Sequence, residues 1–434
     1  MSVTQEKTTM TGPEMVALSK QHSLYEWSAQ AHVDPIPVAK AKGIYFWTPE
    51  GKRFIDFNSQ LMCVNIGHGD PRVIKAIQEQ AATLAYANPF MATEPRARLG
   101  AKLAELTPGD IDVFFFTNGG AEANENAFKI ARAVTGRQKI MARYRSYHGG
   151  TAAAIAATGD PRRWTQPAMP GVIHVLDPYH GVQRGWDTAE QSLQYLEEVI
   201  QLEGAHTIAA FILETVSGTN GILVPPDGYM QGVRALCDKY GILMIADEVM
   251  AGFGRTGAWF AINHWNVVPD IITMAKGLTN AAVPMGAVAC SREIHDAIVE
   301  GAPDGIELFH GYTYSGHPLA AAAGLATLDL YKEEGLFDRA SELGGYWEDA
   351  LHSLKGGRNI IDLRNMGLVA AIELEPRPGA PAKRGTELFH ACFDNGLLVR
   401  ATGDIIALSP PLIIEESHID RIVDTLEGVL KTLA

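Results

Sequence analysis

From about residue 100 to residue 330, short apolar runs alternate with longer amphipathic stretches. Val113 to Phe116 is a compact run of β-favouring side chains, closed by Thr117-Asn118-Gly119-Gly120. Behind it Ala123, Ala127, Ile130, Ala131 and Val134 recur at helical spacing, so strand, glycine turn and helix follow in order. Ile140 to Tyr144, Val172 to Leu176, Ala209 to Leu213 and Ile242 to Ala246 are further strand candidates. Between the last two, Pro225-Pro226-Asp227-Gly228 leads into a helix expected over Tyr229 to Tyr240, which Gly241 ends. Near-continuous apolar strands are buried on both faces. Their alternation with helices predicts an α/β unit with a mainly parallel sheet.

The flanks follow another pattern. Ile44 to Trp47 and Arg53 to Phe57 enclose Pro49-Glu50-Gly51, a β-hairpin signal. From about residue 325 long helices mix with short strands, and Glu375 to Gly379 reads as an exposed loop. The expected division is a large unit over 66–325 and a small α+β unit assembled from both chain ends, 1–65 and 326–434.

Composition narrows the class. The chain has 434 residues, 47% hydrophobic and 20% charged, enough for a sizeable core. Its net charge of -14 argues against nucleic acid and against anionic membranes as partners. Cys63, Cys237, Cys290 and Cys392 lie far apart with no CxxC pair, which fits a reducing compartment; no metal site is expected. Met1 to Pro13 lacks the apolar core of a signal peptide, and no run approaches the roughly 18–20 residues of a membrane helix. A cytoplasmic protein, frayed over its first ten or so residues, is expected.

Four features carry candidate chemistry. Gly252-Phe253-Gly254-Arg255-Thr256-Gly257 is literally G-x-G-x-x-G, with Asp270 18 residues after Gly252. A dinucleotide site is disfavoured there. Asp247-Glu248 would face a pyrophosphate, Trp259 and Phe260 stand where small residues should pack, and no strand immediately precedes Asp270. Asp247 ends an apolar strand, as a cap, an ion-pair partner or the counter-ion of a buried cation. Lys276 ends the apolar run Ile271 to Ala275. It is a surface lysine or an amine whose burial favours the neutral, nucleophilic form. Asn118-Gly119-Gly120-Ala121 opens a helix, as an ordinary cap or as an anion site. Taken together, a phosphate site, an acid for a ring nitrogen and a lysine for an aldehyde meet the needs of pyridoxal phosphate.

From about Gly43 to Leu433 the chain resembles the class III (ω-) aminotransferases, fold-type-I pyridoxal-phosphate enzymes. The resemblance rests on Thr117 to Glu122, Tyr147-His148-Gly149, Glu214 through Pro225 to Tyr229, Asp247 to Gly257, Ala275 to Leu278 and His310 to Pro318. It implies that Lys276 takes the cofactor as a Schiff base and that Asp247 keeps the ring nitrogen protonated. Gly119, Gly120 and Ala121 would hold the phosphate, and Tyr147 and Val249 would flank the ring. Thr313 would reach the phosphate of a neighbouring subunit, in a homodimer or a tetramer. His148 and His317 are expected to pack or hydrogen-bond. The G-x-G-x-x-G then becomes a structural turn.

Val399 to Asp404 and Ala407 to Ile413 look like the ω-amino-acid:pyruvate branch. There Arg400 would clamp the keto-acid carboxylate, and Thr219 replaces an acid that shields the arginine in ornithine-type members. Met62 stands where many pyruvate-coupled members carry Trp, and is expected to shape the amine-donor pocket. The expected reaction is ping-pong transfer of an amino group from an ω-amino acid or primary amine to a keto acid. A decarboxylase or mutase of the same fold, a nicotinamide oxidoreductase and a cofactor-free binding protein are the competing readings.

Overall fold

The computed structural model describes residues 10–167, 169–178, 188–302 and 304–433. The first nine residues, where fraying is expected, lie outside these. A helix not anticipated from the sequence begins directly after them. Thr11 caps Gly12–His22 in a capping box with Glu14.

Seven strands form the central sheet: β1 (Ile111–Thr117), β2 (Lys139–Arg143), β3 (Val172–Val175), β4 (Ile208–Glu214), β5 (Leu243–Asp247), β6 (Ile271–Met274) and β7 (Gly286–Ser291). Their order is β1-β7-β6-β5-β4-β2-β3. Every pairing is parallel except those of β7, which runs against both β6 and β1. The predicted mainly parallel α/β sheet is therefore present, and each predicted strand is found within a residue or two.

Every residue of β4 is buried, as a central strand demands. Successive side chains alternate between two apolar layers. Ala210, Ile212, Ile245, Ile271 and Val288 pack against Ala127, Phe128 and Ala131 of the helix α1 (Gly120–Thr135). Phe211, Leu213, Met244, Ala246 and Ile272 pack on the other face with Met230 and Val233 of α2 (Tyr229–Tyr240). Large apolar side chains so buried each contribute about 1.5–3 kcal/mol. Gly241 ends α2 in the left-handed conformation at φ 61°, the predicted stop. The triple-phenylalanine strand β1 departs from expectation. It lies at the sheet edge, and Phe114 and Phe115 are only half-buried.

The predicted hairpin pairs Tyr45–Trp47 with Arg53–Asp56. Leu397–Leu398 joins its far edge in parallel, so a strand from the C-terminal stretch completes an N-terminal sheet. A second four-stranded sheet holds Ile360–Met366, Val369–Leu374, Ile405–Leu408 and Arg400–Thr402. The helix α3 (Pro318–Glu333) runs across the boundary expected between residues 325 and 326.

Candidate active site

Parallel strands leave a crevice beyond their carboxyl ends, where the chain diverges to helices on opposite faces. Here that crevice is a cavity of about 360 Å³. The turn after β1, the loop after β2, and the ends of β4, β5 and β6 all contribute to its wall.

At one wall α1 begins. Gly119 is its extended N-cap, and the N–H groups of Gly120 and Ala121 find no acceptor among the described residues. With the helix dipole they form an anion site. Glu122 turns back to accept from the backbone N–H of Asn118 at 2.8 Å, which leaves the following N–H groups open. Two glycines are obligatory. A Cβ on Gly120 would lie 2.9 Å from Val249, and one on Gly149 (φ 135°) would lie 2.4 Å from the Ala121 Cβ.

Asp247 is buried at the end of β5. Its Oδ2 accepts from His148 Nδ1 at 2.7 Å and from Asn124 Nδ2 at 2.9 Å, and its Oδ1 from the Val249 N–H at 3.1 Å. Three donors fix the carboxylate's direction. The expected hydrogen-bonding role of His148 is therefore to orient Asp247. His317 accepts from the Leu319 N–H and caps α3.

Lys276 follows β6 with a left-handed backbone, φ 46°, a strained state for a lysine that costs on the order of 1–3 kcal/mol. Its amine makes no hydrogen bond or ion pair among the described residues and opens into the cavity. Burial holds it below the ordinary lysine value, and the charge of Arg400 adds to that.

Tyr147 lines the same cavity. Its N–H donates to Glu214 Oε1 at 2.9 Å, and Glu214 Oε2 accepts from the Gly218 N–H at 2.9 Å. Burial pushes the Glu214 carboxyl above the usual range. Glu214, Asn124 and Cys63 are lining residues that sequence reasoning did not assign. A buried acid ending an apolar strand, the signal that singled out Asp247, marks Glu214 as well.

Val249 also lines this cavity, which thus unites Lys276, Asp247, Gly119, Gly120, Ala121, Tyr147 and Val249. Three predicted residues stand apart. Thr313 is exposed and outside the cavity; its carbonyl accepts from the Tyr86 hydroxyl. Met62 belongs to the hydrophobic core at 2% exposure. Ser59, Gln60 and Met62 all have positive φ, and this contorted turn sends Leu61 and Cys63, not Met62, into the cavity.

Arg400 lines a second, outer chamber of about 740 Å³, which shares Leu61 and Thr219 with the first. No carboxylate among the described residues pairs with Arg400, and its Nε is buried without a partner. Thr219 lines the same chamber.

The Gly252–Gly257 segment is a closed turn. Phe253 donates to the Trp259 carbonyl and Gly254 to the Ala258 carbonyl, and no α-helix opens from it. Arg255, wholly buried, donates to the carbonyls of Ser409 and Pro410 and to Asn65. This geometry removes the dinucleotide reading.

An open helix terminus, a fixed carboxylate and an unpartnered amine around one crevice at the sheet's carboxyl end form the fold-type-I arrangement of pyridoxal-phosphate enzymes. The chain matches the family model Aminotransferase class-III over residues 27–430. It is 49% identical over 415 residues to an omega-aminotransferase of Caulobacter vibrioides, spanning 91% of this chain and 93% of the relative. It is 36% identical to a beta-alanine–pyruvate aminotransferase of Pseudomonas aeruginosa, spanning 92% and 93%. The solved (S)-enantioselective omega-transaminase from Thermomicrobium roseum matches with a TM-score of 0.93 and 39% identity, over 98% of this chain and 99% of that one. The protein belongs to the class III aminotransferases, and pyridoxal phosphate is its cofactor.

Proposed function

We propose that the enzyme moves an amino group from an ω-amino acid or primary amine to pyruvate in two half-reactions, with Lys276 as the covalent anchor and proton carrier. The observation that carries this reading is the Lys276 amine, half-buried, unpartnered among the described residues and in one cavity with Asp247. When bound, pyridoxal phosphate supplies an aldehyde for that amine and a ring able to take up an electron pair. The N–H groups of Gly120 and Ala121 hold its phosphate. Asp247, aimed by His148 and Asn124, keeps a proton on the ring nitrogen. Tyr147 and Val249 confine the ring's faces. With its amine free, Lys276 would take the proton from the donor carbon through Nζ.

Arg400 receives the acceptor carboxylate as a charge-assisted fork. Its lack of a carboxylate partner and the name of the Pseudomonas relative support pyruvate. A homodimer is supported by exposed apolar side chains, Phe309 and Tyr314 flanking Thr313 in the chain and Phe90 and Met91 elsewhere. Thr313 would then serve the partner's phosphate site. The pairing of Leu397–Leu398 with Arg53–Asp56 supports a small unit built from both chain ends, 1–65 and 326–434, around 66–325. Four free, buried cysteines support a cytoplasmic location. Among the described residues, no helix is long and apolar enough to cross a membrane.

The test is borohydride reduction of the holoenzyme with peptide mapping, followed by a screen of amine donors. The expected result is a tag on Lys276, bleaching by ω-amines and recovery of colour with pyruvate. A tag on another lysine, or carbon dioxide release without need of an acceptor, would sink the proposal.

A further inference from the structure

Two arginines line the outer chamber, and their electrostatic states are opposite. Arg162 is already neutralised. Its Nε donates to both oxygens of Asp160 at 3.0 Å, a terminal nitrogen adds a further bond, and its guanidinium lies 3.8 Å above the Tyr147 ring. Asp160 is itself buried. It accepts from the Arg162 backbone N–H at 3.0 Å, starting the turn Pro161–Thr165, and from Asn220 Nδ2 at 3.3 Å. Among the described residues Arg400 has no such partner. The chamber thus offers a ligand one open guanidinium, while the second is held by a resident carboxylate.

We propose that Asp160 is a specificity-determining residue: by occupying Arg162 it restricts the acceptor to keto acids bearing a single carboxylate. The inference rests on Arg400 being the acceptor clamp. A monocarboxylate brings one negative charge, which Arg400 matches. A dicarboxylate brings a second. That charge must either draw Arg162 away from Asp160, leaving a buried acid uncompensated, or remain unpaired beside Asp160. Both routes penalise the dicarboxylate without weakening the monocarboxylate. The charge of Arg162 next to Arg400 also acts on it, since it adds to burial in holding Arg400 below the ordinary arginine value.

The holoenzyme is converted to its amine form with a saturating donor and then mixed with pyruvate or 2-oxoglutarate. Asp160→Asn keeps the shape and an oxygen for the turn but removes the charge. It is expected to raise the kcat/KM ratio of 2-oxoglutarate to pyruvate about 10-fold or more. Adding Arg162→Gln to that variant is expected to erase the gain. A second variant guards against a folding failure of the first. Arg162→Gln alone frees Asp160 to compete for Arg400, so the KM for pyruvate should rise about 10-fold, with a smaller rise for an uncharged aldehyde.

An unshifted ratio in folded Asp160→Asn overturns the inference, as does an unmoved pyruvate KM in Arg162→Gln. In either case a wild-type preference for pyruvate leaves the proposed reaction standing. A wild-type enzyme that prefers the dicarboxylate, or takes neither keto acid, overturns the pyruvate reading and this inference with it.

Discussion

The inner cavity and the outer chamber share a wall at Leu61 and Thr219 but are built by opposite rules. In the inner cavity the polar groups are set before any ligand arrives. Asp247 has three donors, Glu214 holds Tyr147 in place, and Glu122 anchors the start of α1. Among the described residues, Lys276, the helix N–H groups, Asn124 Oδ1 and His148 Nε2 are left open. The outer chamber draws on segments hundreds of residues apart, from Glu26 to Thr402, and its Arg400 is unpaired among the described residues. A cofactor that never leaves is met by a finished, rigid site. On the proposed function, substrates that alternate meet a site with one unpaired charge.

Four substitutions probe that contrast, beginning with the largest effect. Lys276→Ala should cut turnover on the order of 10^4-fold while cofactor still binds without a covalent link, read by single-turnover kinetics and by dialysis of the coloured protein. Retained turnover would mean that another base works in the cavity. Asp247→Asn should lower kcat about 10^2–10^3-fold with little change in acceptor KM, because the loss falls on the reacting ring and not on recognition. An equal loss confined to KM would place Asp247 on the wrong side of the comparison. Arg400→Ala should do the reverse, raising the pyruvate KM about 10–100-fold with a far smaller change for an uncharged aldehyde. Equal losses for both acceptors would remove the clamp.

The smallest effect is one of stability. Burial lowers the folded-state value of Lys276 below 10.5, so between that lowered value and 10.5 the unfolded chain binds a proton that the folded chain has released. Stability of the cofactor-free protein should therefore rise with pH across this window. Lys276→Met should be more stable than wild type at the acid end, with the advantage vanishing near pH 10.5. Urea midpoints at pH 7 and pH 10 check the sign, and a constant difference would show that folding does not lower the amine's value.

The contrast also explains what could be read in advance. The strands, α1, α2 and the stop at Gly241 follow from local periodicity and glycine placement, which act over a few residues. Lys276 and Asp247 were readable because a charge ending an apolar strand demands an explanation at once. Met62 was not. Its direction depends on positive φ at Ser59, Gln60 and Met62, none of them glycine, a conformation imposed by packing and not by propensity. Arg162 and Asp160 escaped for a related reason. Their importance lies in standing near Arg400, more than 230 positions away in the chain. The half-burial of Phe114 and Phe115 in β1 reflects an edge position that only the full strand order reveals.

The reversed strand β7 has a consequence for how this enzyme can vary. A parallel successor to β6 would have required a crossover that carries the chain to the opposite end of the sheet. Instead, residues 275–285 turn back directly, and Ala275, Lys276, Thr279, Ala281, Val283, Pro284 and Met285 remain at the mouth of the cavity. One uninterrupted loop, anchored in the sheet at both ends, thus carries the Lys276 amine and much of the surrounding wall. Lengthening or trimming that loop beyond Lys276 is a way to resize the pocket while the topology stays as it is.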